Sequence, residues 1–509
     1  MPSRFDAVVI GAGANGLTAA ATLAKHGQQV LLVDGANALT PRSRALEFAP
    51  GFRCAPLMVD AGWAPPAVLR ELGINAPSAV VPRYSVSVAQ PGMTLALAND
   101  SAAAADAIRS HSTHDGDEWA VFVTRLRAMS GFLESLYQLP APDIDTTKLG
   151  EIMPLVGAGR KFRALGRAGM MEMLRVLPMP ARDYLEDEFQ SEVVRAAVGA
   201  GAVRDMRQGP RSGGTMFNLL HYLTGAPGGS VRARAWWQDG PDAFTRAAEG
   251  VTRARGVTIR TGHAAVRVLV RDHAVSGVVL DDADEIFAST VVSTVDPAHT
   301  LLHLVDPVWL DPQFIRAVRN IRFRGCTAFV QYAVDKLPDL PGLDGVVTLT
   351  GDLTSLERAY DAAKYGRMSE RPHVELTATT LRWPSHAPQG KHVVVARVQY
   401  VPYEAGISED ALAGAVTSAI AGVVPGFPST VLHHAVITPE QLERNYGLAE
   451  GAVTHGELAL DQVLFMRPVP GFARHAMPIR GLYLGGAGAH PGPGVLGMAG
   501  LLAAKAVLR

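Results

Sequence analysis

A strand that runs straight into Gly11-Ala-Gly13-Ala-Asn-Gly16 has few ways to continue. Residues Phe5 to Ile10 are apolar and β-rich at Val8-Val9-Ile10, the pattern of a buried parallel strand. Leu17 to Lys25 is alanine-rich and helical, with small Ala20 where a helix must lie close to a sheet, and Gly27 ends it. Gln29 to Val33 reads as a second strand with Asp34 at its end. In such a unit Gly11 permits the tight turn, Gly13 lets the backbone approach a pyrophosphate, and Gly16 lets helix and strand pack. Ala14 and Asn15 open the helix, whose free N–H groups and partial positive charge suit phosphates. Asp34 can accept hydrogen bonds from a ribose and would repel a 2′-phosphate, which disfavours NADP. Strand, glycines, helix, second strand and acid in register predict dinucleotide binding, while the turn alone does not choose between FAD and NAD.

The other end of the chain narrows the choice. Residues 481–505 read "GLYLGGAGAHPGPGVLGMAGLLAAK", which predicts a strand at Leu482 to Leu484, a glycine loop from Gly485 to Gly494 and a helix from Val495 to Lys505. No strand follows, so this is not a second nucleotide-binding unit. The chain has 509 residues, 48% hydrophobic and 19% charged, long for one core and suggestive of two intertwined domains. A formal net charge of −1 provides no bulk field for nucleic acid. Two cysteines, Cys54 and Cys326, cannot build a disulfide framework, and a reducing cytoplasm is the expected compartment. The apolar run from Ala7 to Ala24 carries three glycines and Asn15, so it is neither a membrane span nor a good signal peptide. No clustered metal-ligand spacing and no Ser-His-Asp logic is visible, so no metal is expected.

Further stretches carry a family resemblance: "GAGANGLTAAATLAKHG", "EFAPGF" at 47–52, "FQSE" at 189–192, "GGTMFNLLHYLTG" at 213–225, "VVSTVDPAHTLLHLV" at 291–305, "LDQVLFMRPVPG" at 460–471 and "GLYLGGAGAHPGPGVLGMAG". Together they span nearly the whole chain. The sequence resembles the phytoene desaturase-type FAD oxidoreductases within the larger amine-oxidase-like flavoprotein group, nearest its branch of pyridine nucleotide-disulfide oxidoreductase domain-containing proteins. The resemblance implies an α/β fold in which a Rossmann-like FAD-binding domain is interleaved with an α+β substrate domain. The FAD domain would take residues 1–85, 235–300 and 455–509, and the substrate or cap domain residues 86–234 and 301–454. It also implies that Val266 flanks the adenine through its backbone, and that Gly486, Ala487, Val495 and Leu496 meet the flavin where a helix N-terminus faces its pyrimidine ring.

The family pattern breaks at three places. Thr40-Pro41-Arg42 stands where Gly-Gly-Arg is usual, Gly240-Pro241 where Gly-Gly is usual, and His490-Pro491-Gly492-Pro493-Gly494 where His-Pro-Gly-Gly-Gly is frequent. Each proline removes an N–H donor and fixes φ near about −65°. Arg42 and Arg44 can still meet phosphate charge. The resulting expectation is an FAD-dependent oxidoreductase that desaturates or dehydrogenates a lipophilic small molecule by hydride transfer to flavin. The alternative is a non-redox isomerase or cyclase on the same fold, with FAD weakly bound, structural or absent. His490 is the first polar candidate near the flavin, and His221 with Tyr222 the next. The basic amphipathic stretch 159–177 reads either as a cap helix with a solvated face or as a peripheral membrane contact that admits a lipid-like substrate.

Overall fold

The computed structural model describes residues 4–39, 42–57, 62–141 and 149–509. At its centre lies a five-stranded sheet in the order Leu482–Leu484, Thr290–Ser293, Ala7–Ile10, Val30–Asp34, Thr258–Thr261. Every pairing in it is parallel. Ala7–Ile10 is buried along its whole length, because helices or the neighbouring antiparallel strands cover both faces. The helix Ala14–Lys25 lies against Ala243–Ala254 on one side and Met498–Val507 on the other. Ala19, Ala20 and Ala21 are fully buried there, and their small side chains permit the close approach. Antiparallel strands Ala265–Arg271, Ala274–Leu280 and Glu285–Phe287 form a meander beside this sheet.

The second large sheet has seven strands, running from Val431–Ile437 through Thr327–Val334, His392–Gln399, His373–Ala378, Val347–Thr348 and Tyr84–Gln90 to Met93–Ala98. It is antiparallel except where Val347–Thr348 runs parallel to Tyr84–Gln90. Helices Thr113–Tyr137, Ala181–Glu188, Glu192–Ala202 and Thr215–Tyr222 fall within the span expected to be mostly helical. The alternation of "VVVARVQY" leads to a strand, but one covered on both faces: all of Thr327–Val334 and nearly all of His392–Gln399 is buried. Its polar residues therefore need internal partners. Gln399 finds them by donating to the carbonyls of Val203 and Met206 at 3.1 and 2.7 Å.

Three local expectations shift. The first strand begins at Ala7 rather than Phe5. The last helix begins at Met498 rather than Val495, because Gly497 at φ 72° takes a left-handed turn before it. Stretch 159–177 is not one helix: Leu149–Ala164 and Gly166–Val176 are separate, broken where Gly166 adopts φ 72°. Among the described residues no helix is long and apolar enough to cross a membrane. Cys54 and Cys326 are buried free thiols.

Candidate functional site

The glycine turn opens onto a cleft of about 640 Å3, within the range of cofactor sites. Gly11 takes φ 95°, a conformation that favours glycine, and its N–H donates to the Val33 carbonyl at 2.8 Å. A Cβ on Gly16 would overlap the Gly11 carbonyl, so Gly16 serves the packing of turn and helix. Gly13 is different. It lines the cleft, and among the described residues beyond its own stretch of chain no atom lies within 4 Å of the place its Cβ would occupy. Gly13 is also the N-cap of Ala14–Lys25, with no side chain capping the first turn and no acid in it. The exposed donors of that turn are left for an anion. Asp34, lining the same cleft, accepts from the Ala12 N–H at 2.6 Å through one oxygen and from Ala36 N–H at 2.9 Å through the other. Each oxygen keeps a lone pair for a ribose hydroxyl.

Arg42 lines the cleft as well. Burial pushes its guanidinium down from its ordinary value, against the pull of Asp34 and Asp296. Arg42 donates to His455 Nε2 at 3.1 Å. That bond fixes the ring tautomer, since burial, then Arg42 and Arg467, hold His455 neutral with a value lowered to about 3. The remaining proton sits on Nδ1, a buried donor that no described protein atom accepts. An open approach at Gly13, an uncapped helix, an acid at the strand end, a cation and an orphaned donor together fit a dinucleotide carrying a pyrophosphate.

The remaining candidates are placed unevenly. Ala14, Asn15, Ala487 and Leu496 line the cleft with Gly11, Gly13, Asp34 and Arg42. Gly486 lies behind it, where a Cβ would overlap the Thr294 backbone. Val495 is buried and bridges to Trp63. On the adenine side Ala264 and Ala265 form the lining, and Val266, next in the strand, is 47% exposed. Pro241 lines the cleft after Gly240 at φ 116°. Thr40 and Pro41 lie outside the described residues. Pro493 lends its carbonyl to His221 Nε2 at 2.8 Å.

His221, Tyr222 and His490 are not part of the cleft lining. His221 uses both ring nitrogens: Nε2 donates to Pro493 and Nδ1 accepts from the Tyr137 hydroxyl at 2.8 Å. Burial lowers it to about 3, so it is a neutral strut for the 490–494 loop. His490, lowered by burial to about 4, donates through Nε2 to the Leu139 carbonyl at 3.1 Å. The Tyr222 hydroxyl donates to Asp205 at 2.8 Å. Sequence reasoning missed His455, Thr294, and the Arg444–Gly447 segment on the far wall. Only the Thr294 stretch fell within a quoted family segment; a lone histidine and a helix end carry no local signature.

Comparison with known proteins places this geometry. Residues 187–508 match the model for flavin containing amine oxidoreductases, and residues 6–306 match an FAD binding domain. Pyridine nucleotide-disulfide oxidoreductase domain-containing protein 2 of Rattus norvegicus is 30% identical, over 99% of this chain and 94% of its own. A limonene dehydrogenase component of Castellaniella defragrans is 24% identical over the same shares. An oxidoreductase from Methanosarcina mazei has a similar fold at a TM-score of 0.61 and 17% identity, covering 99% of both chains.

Proposed function

This chain belongs to the flavin-containing amine oxidoreductase family and is an FAD-dependent oxidoreductase, and we propose that it dehydrogenates a lipophilic small molecule. When bound, FAD supplies the acceptor for a hydride leaving a substrate C–H bond. On this reading Gly11, Gly13, Ala14 and Asn15 hold the pyrophosphate, Asp34 the ribose, and Arg42 with His455 the charge at the centre of the cleft. Ala487 and Leu496 close the flavin end.

The observation that carries the proposal is the burial of the histidines around that end. His221, His455 and His490 are all buried and held neutral, two of them donating to backbone carbonyls and the third accepting from Arg42. Hydride removal from an unactivated C–H bond needs orientation and exclusion of water more than an acid–base pair. His221 and His490 contribute by fixing the loop, and Tyr222 by its bond to Asp205. The relative named as a limonene dehydrogenase component supports a hydrocarbon-like substrate. The non-redox alternative is not favoured by the family matches. Met171 and Leu174, 64% and 60% exposed beside exposed Arg163 and Arg167, support delivery of such a substrate from a membrane surface.

The test is anaerobic mixing of the holoenzyme with detergent-dispersed limonene and other hydrocarbons. Bleaching of the flavin, with a product two hydrogens lighter by mass spectrometry, is the expected result. A flavin that dithionite reduces, but that only primary amines reduce among organic substrates, would overturn it.

A further inference from the structure

Arg467 is buried, and every hydrogen bond it makes among the described residues goes to a peptide oxygen. Its Nε donates to the Ala487 carbonyl at 3.0 Å. Nη1 donates to the carbonyls of Gln462 at 3.2 Å and Glu457 at 3.5 Å. Nη2 donates to those of Thr454, His455 and Gly456. His455 and Ala487 both line the cofactor cleft, so one guanidinium joins two of its walls from behind. It also backs the glycine loop: a Cβ on Gly492 would stand 4.0 Å from Arg467 Nε.

Carbonyl oxygens satisfy N–H groups but bring no net charge. Arg42, the other cation of the cleft, is drawn by Asp34 and Asp296. Among the described residues no carboxylate plays that part for Arg467. Glu457 lends it only a carbonyl and keeps its carboxylate 3.8 Å from Arg324 and 4.0 Å from Arg322. Burial pulls Arg467 down to about 10, so it remains a cation near neutral pH. Its charge is felt in the cleft. After burial and Arg42, it helps to hold His455 neutral, and after burial and Arg234 it does the same for His221. A buried ion without a counter-charge carries a heavy desolvation cost. A fixed cation aimed where negative charge develops needs no reorganisation when that charge arrives.

We propose that Arg467 is the counter-charge to the reduced flavin and raises its reduction potential. The proposal rests on the dehydrogenase reading above, with the flavin end at Ala487, and deepens it. The substrate gives a hydride to the ring and a proton to water. The ring thereby gains two electrons, one proton and one negative charge. Arg467 sets a full positive charge behind the wall that this new anion faces, and it acts through that wall without touching the substrate.

Stepwise reduction of the holoenzyme with dithionite, beside reference dyes, measures this from the flavin spectrum. Between pH 6 and pH 7 the parent's potential should fall by about 30 mV, the slope for one proton taken up with two electrons. Twice that slope would mean a ring reduced without net charge and would overturn the proposal. Flavin-loaded R467M should show a potential lower by at least about 30 mV, tenfold in the two-electron equilibrium. R467K keeps the charge but not the fork of bonds, so its melting temperature should drop while its potential stays nearer the parent's. An unchanged potential in R467M, or a fall in R467K as large as that in R467M, would reduce Arg467 to a structural clamp. The parent's slope decides the matter even where R467M fails to hold flavin. Dithionite supplies the electrons, so the outcome is independent of which organic molecule the enzyme oxidises and is distinct from failure of the dehydrogenase reading.

Discussion

Residue chemistry decides the cofactor cleft. Gly13 faces open space where the proposed pyrophosphate would pass, so Gly13→Val should weaken FAD binding at least about a hundredfold while leaving the far-ultraviolet circular dichroism unchanged. Calorimetric titration of the apoprotein with FAD measures it. His455→Ala removes the acceptor that orients Arg42 and an orphaned donor in the same step. A loss of about tenfold in FAD affinity is expected, since one charged and one neutral hydrogen bond are at stake. Pro241 occupies the lining without an N–H to offer. Pro241→Gly should tighten FAD by up to about tenfold, read as flavin content after dialysis; an unchanged dissociation constant would mark the proline as neutral. Gly11, Gly13, Asp34 and Arg42 were legible in the sequence because their chemistry is local to one strand-turn-helix and the loop after it. His455 was not, because it reaches Arg42 from the other end of the chain.

Elements set how firmly that cleft is held. Gly497 turns left-handed at φ 72° and launches Met498–Val507, and Gly500 lies against the Asn15 backbone. A methyl group at 500 would overlap the Asn15 carbonyl and push the last helix away from the first turn of Ala14–Lys25. Gly500→Ala should therefore cost about 1–3 kcal/mol and loosen FAD together with stability. Parallel drops in melting temperature and flavin content check the coupling; a loss of stability alone would place the strain elsewhere. Helix boundaries were only partly legible. Gly497 and Gly166 look like ordinary members of glycine-bearing stretches until the backbone shows which of them takes a positive φ.

At the scale of the whole molecule, burial of neutral histidines ties stability to pH. Burial lowers His221 and His455 to about 3, and His475 and His490 to about 4, against an ordinary value of 6.5. Between pH 6.5 and about 4 the unfolded chain binds protons that the native chain does not, so stability falls as pH falls. Each histidine contributes up to about 1.4 kcal/mol per pH unit. Asp296 and Glu457, raised by burial, act in the opposite sense above their ordinary range. Denaturant titrations at pH 7 and pH 5 should show the histidines prevailing, and His475→Gln should flatten the slope by one histidine's share; an equal slope in parent and variant would contradict the assignment. The sequence by itself determined the dinucleotide half of this protein, since glycine spacing, an alanine-faced helix and an acid at a strand end are written within one continuous stretch. It also determined, through resemblance along the chain, the flavoprotein family. Only the tertiary structure decided the rest. Arg232, Arg234, Arg382 and Arg397 fall in two distant stretches of the sequence, and nothing in their local patterns marks them for burial. Strand pairing sets Glu375 beside Arg397, and packing carries Asp205 to Arg397, so ion pairs form inside the protein between residues far apart in the sequence.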